Sequence, residues 1–120
     1  MAGFGDALKQ VALKVPESQV LMVMGTDGIP IEKLVIQAHT NMEAIAAEYT
    51  SLLRASLSSA SDTGLGALQE LAIHTERMTA LLVSITPEYF LFAALQPGAV
   101  VGRARFALRM AGVALEKEFA

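Results

Sequence analysis

The sequence has no cysteine and no tryptophan, and charged residues make up only 18% of its 120 positions. Without cysteine, both disulfides and thiolate metal sites are excluded. Nine basic residues against twelve acidic ones give a net charge of −3. Because generic nucleic-acid binding needs a basic excess, we expect no nucleic-acid partner.

Long hydrophobic runs are also missing. The longest uninterrupted apolar stretch is Tyr89–Leu95, far short of the roughly 18 residues that a membrane span needs. Residues 1–6 have neither the basic flank nor the apolar segment of a signal peptide. We therefore expect a cytoplasmic protein without membrane insertion.

Hydrophobic residues, by contrast, make up 53% of the sequence. A chain of this length fits one domain, 1–120, with a single core. Because a small domain has little interior, part of the apolar surface should face a partner or a second copy of the chain.

The N-terminal part of the chain predicts a helix followed by a strand. Asp6 can cap a short helix, which Pro16 ends because a proline disfavours helix in the residue before it. Residues Val20–Met24 are apolar at every position. Continuous apolarity over so short a run predicts a strand that is buried on both faces.

A hairpin follows this strand. The run Gly25–Gly28 predicts a tight turn, in which Asp27 and Gly28 are the structural residues because Asp and Gly tolerate the backbone of tight reversals. The second strand, Ile29–Ile36, should run antiparallel to the first. Pro30 favours an edge position, since proline cannot donate a hydrogen bond to a neighbouring strand.

The rest of the chain predicts two helices and three strands. Thr40 and Glu43 have the spacing of a capping box, which opens a helix over residues 41–60; residues 56–66 indicate helix fraying into a loop. The expected core face of this helix consists of Met42, Ile45, Ala46, Tyr49, Leu52, Leu53 and Leu57. The remaining elements are strands 68–74, 78–85 and 89–95 and a final helix 99–119. This order, helix-β-β-helix-β-β-β-helix, predicts an α+β fold with a five-stranded antiparallel sheet covered by helices.

Small residues form a second stripe on helix 41–60, namely Ala44, Ala47, Ser51, Ala55 and Ser58. Short side chains allow two helix backbones to approach closely, and Glu43, Glu48 and Arg54 flank the stripe. The stripe favours a helix–helix contact over a solvated face, because solvated faces usually carry long charged residues. The final helix has a second apolar stripe as well, at Phe106, Met110 and Val113; the N-terminal helix or a partner could cover it.

Residues for catalysis do not form a recognisable set. His39 and His74 lie next to turns, without the carboxylate and nucleophile pattern of a catalytic group, and no metal-ligand spacing occurs. The phosphate-binding loop of GTPases and ATPases is absent from the sequence. We therefore expect no catalytic residue, no metal, no cofactor and no enzymatic site.

Four stretches in this order resemble the roadblock/dynein-light-chain family, in particular its bacterial and archaeal branch. They are Val23–Glu32, Leu68–Leu71, Glu88–Leu91 and Gly102–Arg109, and the likeness extends over residues 5–118. The resemblance implies a roadblock/profilin-like sheet. It also implies a homodimer formed through the third strand and the helix after the second, which adds Leu68, Glu70 and Ala72 to the small-residue stripe as interface residues.

The resemblance further implies a Ras-like small GTPase as the partner, as for the family's gliding-motility regulators. The expected docking surface is the paired helices 41–60, with Glu43, Glu48 and Arg54 of both copies; Phe106, Arg109 and Met110 form the reserve surface. Such a regulator can accelerate GTP hydrolysis by repositioning groups of the GTPase itself.

Two alternatives remain open: a structural subunit that only scaffolds, and a small-molecule sensor. The sensor is the weakest, because the apolar interior offers few polar groups to orient a ligand.

Overall fold

Helices cover both faces of a five-stranded antiparallel sheet in the computed structural model, which describes residues 3–37 and 41–119. The strand order is β2-β1-β5-β4-β3. The elements are α1 (Phe4–Lys14), β1 (Ser18–Gly25), β2 (Pro30–Val35), α2 (Met42–Asp62), β3 (Glu70–His74), β4 (Thr79–Thr86), β5 (Tyr89–Leu95) and α3 (Val101–Glu116), with a 3-10 turn at Lys117–Phe119. The predicted fold class and element order are confirmed.

Two apolar layers sandwich the sheet. Alternate side chains of a strand point to opposite faces, so Leu21 and Val23 pack against α1 and α3 while Met22 and Met24 pack against α2. Every residue of β1 is buried, and so are most residues of β4 and β5. The prediction of a strand buried on both faces is confirmed for β1, which is longer at both ends than expected.

The two outer strands of the sheet are β2 and β3. The predicted edge position of β2 is therefore confirmed, and Pro30 is its first residue. The β1–β2 register shifts between Val23 and Met24, so that Met24 lies opposite Pro30.

The β1–β2 turn has the predicted geometry. The Gly28 N–H donates to the Gly25 carbonyl oxygen, the Gly25 N–H donates to the Ile29 carbonyl oxygen, and Gly28 has φ +87°. This matches a three-residue hairpin loop that ends in a left-handed residue. The Ile29 N–H also donates to Asp27 Oδ1 at 3.0 Å. A Cβ at Gly25 would lie 2.6 Å from that same oxygen, so a larger residue there would displace the Asp27 carboxylate from its hydrogen bond.

Both predicted helix caps need correction. Gly3, not Asp6, is the N-cap of α1, and Asp6 lies inside the first turn, where its carboxylate still faces the positive end of the helix dipole. Asn41 is the N-cap of α2, with φ +53° and no side-chain cap hydrogen bond. Thr40 of the predicted capping box lies outside the described residues, as does His39.

Helix α2 is more regular than predicted, and one of its expected core residues is exposed. The helix continues to Asp62, so the fraying expected from residue 56 is wrong. Leu52, expected in the core, is 50% exposed. Thr50 is buried instead, because its hydroxyl donates to the Ala46 carbonyl oxygen at 2.7 Å and so leaves no unpaired polar group.

The positive φ of Gly28 leads to a testable prediction, for which Gly102 serves as the control position. A Cβ added at Gly28 or at Gly102 would meet no atom within 4 Å, but only Gly28 has positive φ. Gly28→Ala should therefore lower the free energy of unfolding by about 1–2 kcal/mol. Gly102→Ala, in helix α3, should raise it by about 0.5–1 kcal/mol. Denaturant unfolding of both variants measures this contrast, and equal effects of the same sign would contradict it.

Candidate functional site

The outer edge of β3 presents backbone groups that the sheet does not use. The Ser84 N–H donates to the Gln69 carbonyl oxygen, and the Thr75 N–H donates to the Met78 carbonyl oxygen. Hydrogen-bonded pairs alternate along an antiparallel ladder, so Leu71 and Ile73 also bond towards β4. The N–H and C=O groups of Glu70, Ala72 and His74 therefore point away from the sheet.

The carboxylate of Glu70 is bound to helix α3. Arg105 Nε lies 2.8 Å from Glu70 Oε1 and 2.7 Å from Oε2, and Arg109 Nη2 lies 3.6 Å from Oε1. The Glu70 side chain is only 13% exposed. Glu70, a predicted interface residue, thus presents its backbone groups outward, while its side chain is bound to α3.

The other two interface residues predicted on the third strand are half-buried. Leu68 lies just before β3 and packs on the α2 side of the sheet, whereas Ala72 packs on the α1 and α3 side. His74, at the end of β3, is exposed, and its Nδ1 lies 3.3 Å from Thr79 Oγ1. His74 therefore lies at the end of β3, next to the β3–β4 turn, close to the position expected from the sequence.

The small-residue stripe forms the outward face of α2. None of its members is buried, and Ala44, Ala47, Ser51, Ala55 and Ser58 all lie on the side of α2 away from the sheet. At about 100° per helical residue, Glu43 and Arg54 lie on one flank of the stripe, and Glu48 lies about 140° away from Glu43 on the other. The three charged residues predicted to bind a partner therefore flank the stripe but do not form one cluster.

Two of these three charged side chains have partners within the chain. Lys33 Nζ of β2 lies 2.8 Å from Glu43 Oε1. Arg54 Nη1 donates to the Thr26 carbonyl oxygen at 2.6 Å, which ties α2 to the β1–β2 turn, and Nη2 lies 3.3 Å from Ser51 Oγ. Glu48 forms no ion pair with any described residue.

An apolar groove lies between α2 and β3, and the sequence did not indicate it. Leu52 and Leu71 line it, together with the strongly exposed Leu65. Leu52 and Leu65 are 50% and 82% exposed. Helical spacing places Leu52 on the apolar face of α2, but it does not show what covers that face. The expectation that Leu52 lies in the core is therefore wrong. We call the β3 edge, the α2 stripe and this groove the pairing surface.

The second stripe of α3 is also exposed. Phe106, Met110 and Val113 are 66%, 50% and 62% exposed. Helix α1 packs beside α3 without covering these side chains. Arg109, which the sequence groups with them, contacts Glu70 instead of standing free.

The residues that the structure describes contain no cluster of three or more His, Cys, Asp or Glu side chains that could hold a metal ion. Within the same residues, no helix is both long and apolar enough to cross a membrane.

Solved structures share this fold, although no family model matches the sequence and no curated protein matches it either. A roadblock/LC7 domain from Streptomyces avermitilis is similar at a TM-score of 0.85 with 11% identity, over 98% of both chains. The gliding protein MglB from Thermus thermophilus is similar at a TM-score of 0.84 with 15% identity, over 100% of this chain and 96% of that one.

A third match is MglC from Myxococcus xanthus, with a TM-score of 0.68 and 25% identity over 96% of this chain and 98% of that one. Profilins share the architecture more distantly, as a TM-score of 0.55 with Acanthamoeba castellanii profilin II indicates. The resemblance inferred from the four sequence stretches is therefore confirmed at the level of the fold.

The ion pair that holds β3 to α3 should contribute to stability, whereas an exposed pair should not. Arg105→Ala leaves a carboxylate that is only 13% exposed with a single ion pair, to Arg109 at 3.6 Å. It should lower the free energy of unfolding by about 1–2 kcal/mol, because bonds to charged groups are strong but this one is partly solvated. Lys33→Ala, in a pair that is 42% and 56% exposed, should cost at most about 0.5 kcal/mol. Equal losses in denaturant unfolding would contradict the assignment.

Proposed function

We propose that the chain is a cytoplasmic homodimeric regulator and binding platform for a Ras-like small GTPase. The observation that carries the proposal is the pairing surface, in which an unpaired strand edge lies beside a small-residue helix face and exposed leucines. The likeness to MglB and MglC supports the same reading, since the fold is the one on which those proteins are built.

The unused backbone groups of β3 restrict how two copies can pair. Two antiparallel β3 strands related by a two-fold axis bond fully when Ala72 lies opposite Ala72 of the partner subunit, because Glu70 then lies opposite His74 of the partner subunit. All three outward residues are satisfied in this register. If one strand slides by two residues in either direction, one of these three residues lies opposite a position outside the partner's β3. Its backbone groups then have no strand to bond to.

Continuing the sheet in this way brings the two α2 helices together on the same face. Leu52, Leu65 and Leu71 lie between α2 and the edge that would pair, so dimerisation would cover the groove. Burying exposed leucine side chains removes apolar area from water, at about 25 cal/mol per Å². Small side chains on α2, such as Ala55, permit the close approach of the helices.

Acceleration of GTP hydrolysis would then come from repositioning the GTPase's own groups. Arg54, Arg105 and Arg109 are bound within the chain. Arg103 lies 3.9 Å from Glu17. Of the arginines, only the Arg77 side chain, in the β3–β4 turn, has neither an ion pair nor a side-chain hydrogen bond among the described residues, whereas Arg54 has hydrogen bonds alone. An arginine supplied in trans is one known route to activation, but most arginines here have other partners.

Disulfide formation can test the dimer and its register together, because the chain has no native cysteine. In the proposed register two Ala72 residues lie about 5.5 Å apart between Cα atoms, within the range for a disulfide. Ala72→Cys should therefore form a covalent dimer under mild oxidation, measured on non-reducing gels.

Two kinds of control accompany this variant. Ala114→Cys, on the exposed side of α3, should not cross-link. Leu71→Cys would cross-link only if the register were shifted, since it would then lie on the two-fold axis. Light scattering that finds wild-type monomer at micromolar concentration would overturn the homodimer, and Ala47→Glu or Ser51→Arg should weaken it.

The GTPase should bind with one copy per dimer. A surface centred on the two-fold axis is occluded once a monomeric GTPase lies across it, so calorimetry against the Ras-like GTPase encoded nearest to this chain should give that stoichiometry. The charge-reversing pair Glu48→Lys and Arg54→Glu should slow association by about tenfold or more and change its salt dependence.

The matched control reverses one charge of each sign on the other face of the sheet, at Lys9 and Glu116, and should leave binding unchanged. A stoichiometry of two per dimer would move the proposed docking surface to Phe106 and Met110. Binding without any change in GTP turnover would support a scaffold instead of an activator.

A further inference from the structure

A second cavity lies off the pairing surface, between the N-terminal half of α2 and the β3–β4 turn. Its volume is about 560 Å³, which falls within the roughly 300–1,000 Å³ of small-molecule sites. Apolar side chains form its walls, with Met42 and Tyr49 from α2 and Met78 from the start of β4. The polar and charged residues that line it are Gln19, Glu48, Thr75 and Arg77.

A β-bulge turns one of these polar groups towards the cavity. Ser18 lies opposite Leu95 of β5, but Val20 already lies opposite Ala94, so Gln19 is an extra residue in β1. A bulge re-aims the side chain of the inserted residue. Gln19 therefore faces α2 together with Val20 and lines the cavity.

The Gln19 side chain is buried and lacks a partner. The residue is 5% exposed, and its Oε1 atom has no hydrogen-bond partner among the described residues. A buried amide oxygen without a hydrogen-bond partner destabilises the folded state. A ligand that gives the Gln19 amide a hydrogen-bond partner would lower this cost on binding.

Two opposite charges line the same cavity. Glu48 of α2 and Arg77 of the β3–β4 turn are both exposed, and neither forms an ion pair with a described residue. A carboxylate recognises an ammonium group, and a guanidinium recognises a carboxylate through two parallel hydrogen bonds. Together they suit the two charged groups of a zwitterion.

We propose that this cavity binds a free α-amino acid whose side chain ends in an amide. The α-ammonium group would contact Glu48, the α-carboxylate would contact Arg77, and the aliphatic stem would lie against Met42 and Met78. The terminal amide would pair with Gln19. Two amides satisfy each other in either orientation, because each offers both a donor and an acceptor. L-asparagine and L-glutamine both carry these groups, and L-glutamine has the longer aliphatic stem.

The experiment measures binding to the wild-type chain in the absence of any GTPase, so it does not depend on the proposed function. L-glutamine should raise the Tm in a concentration-dependent manner, as a ligand of the folded state does, and calorimetry should give its Kd. L-methionine has a similar length but no amide, and should bind at least tenfold more weakly. N-acetyl-L-glutamine and the α-amide of L-glutamine each lack one charge and should also bind at least tenfold more weakly.

Variants separate the cavity from general effects on stability. Gln19→Met keeps the length of the side chain but removes the unpaired amide. It should raise the Tm of the ligand-free protein and abolish the preference for L-glutamine over L-methionine. Arg77→Gln should weaken binding at least tenfold, whereas the control Lys14→Gln, on α1, should not change it.

Three results would overturn the proposal. The first is that none of the common amino acids, tested singly, changes the Tm of the wild-type protein. The second is that L-glutamine binds Gln19→Met as tightly as it binds the wild type. The third is that N-acetyl-L-glutamine binds as tightly as L-glutamine, which would mean that the ammonium group and Glu48 play no part.

Discussion

The sheet is buried on both faces, and the surfaces available for interaction follow from this constraint. In β1, β4 and β5 most side chains are apolar and are covered by a helix layer. Their backbone groups must pair inside the sheet, because unpaired buried polar groups are costly. Little is left for a partner except the two outer strands and the outward faces of the helices.

The two outer strands are protected to different degrees. Edge strands usually carry proline, charges or bulges that prevent pairing with another chain. Strand β2 has all three, with Pro30 at its start, Glu32 and Lys33 within it, and a register shift beside it. Strand β3 has a single acidic residue, Glu70, whose carboxylate is turned towards Arg105. Because the Glu70 carboxylate is bound to α3, no exposed charge of β3 stands at the edge to repel a second strand.

Much of the fold could be predicted from the sequence because it depends on local patterns. Uninterrupted apolar runs identified the buried strands, and the Asp27–Gly28 pair identified the turn. The exposure of Leu52 could not be predicted, since a helical pattern does not reveal that α2 ends beside an open edge. The bulge at Gln19 could not be predicted either, because it exists only relative to the register of β5.

For the candidate site, too, local patterns could be predicted and contacts between distant residues could not. The small-residue stripe of α2 was visible in the sequence because its members share one helix face. The bonds of Arg54 to Thr26 and of Glu43 to Lys33 could not be predicted, because they join distant parts of the chain. Long charged side chains reach several possible partners, so their roles depend on tertiary structure that spacing does not contain.

Symmetry separates the two surfaces that the structure offers. The outward face of paired α2 helices would lie on the two-fold axis of a dimer, and a surface on that axis exists once per dimer. The cavity at Gln19 lies off the axis and exists once per chain. A GTPase and a small zwitterion would therefore bind in different ratios to the same dimer. Glu48 borders both surfaces, so a ligand that engages its carboxylate would change the charge that a partner meets on α2.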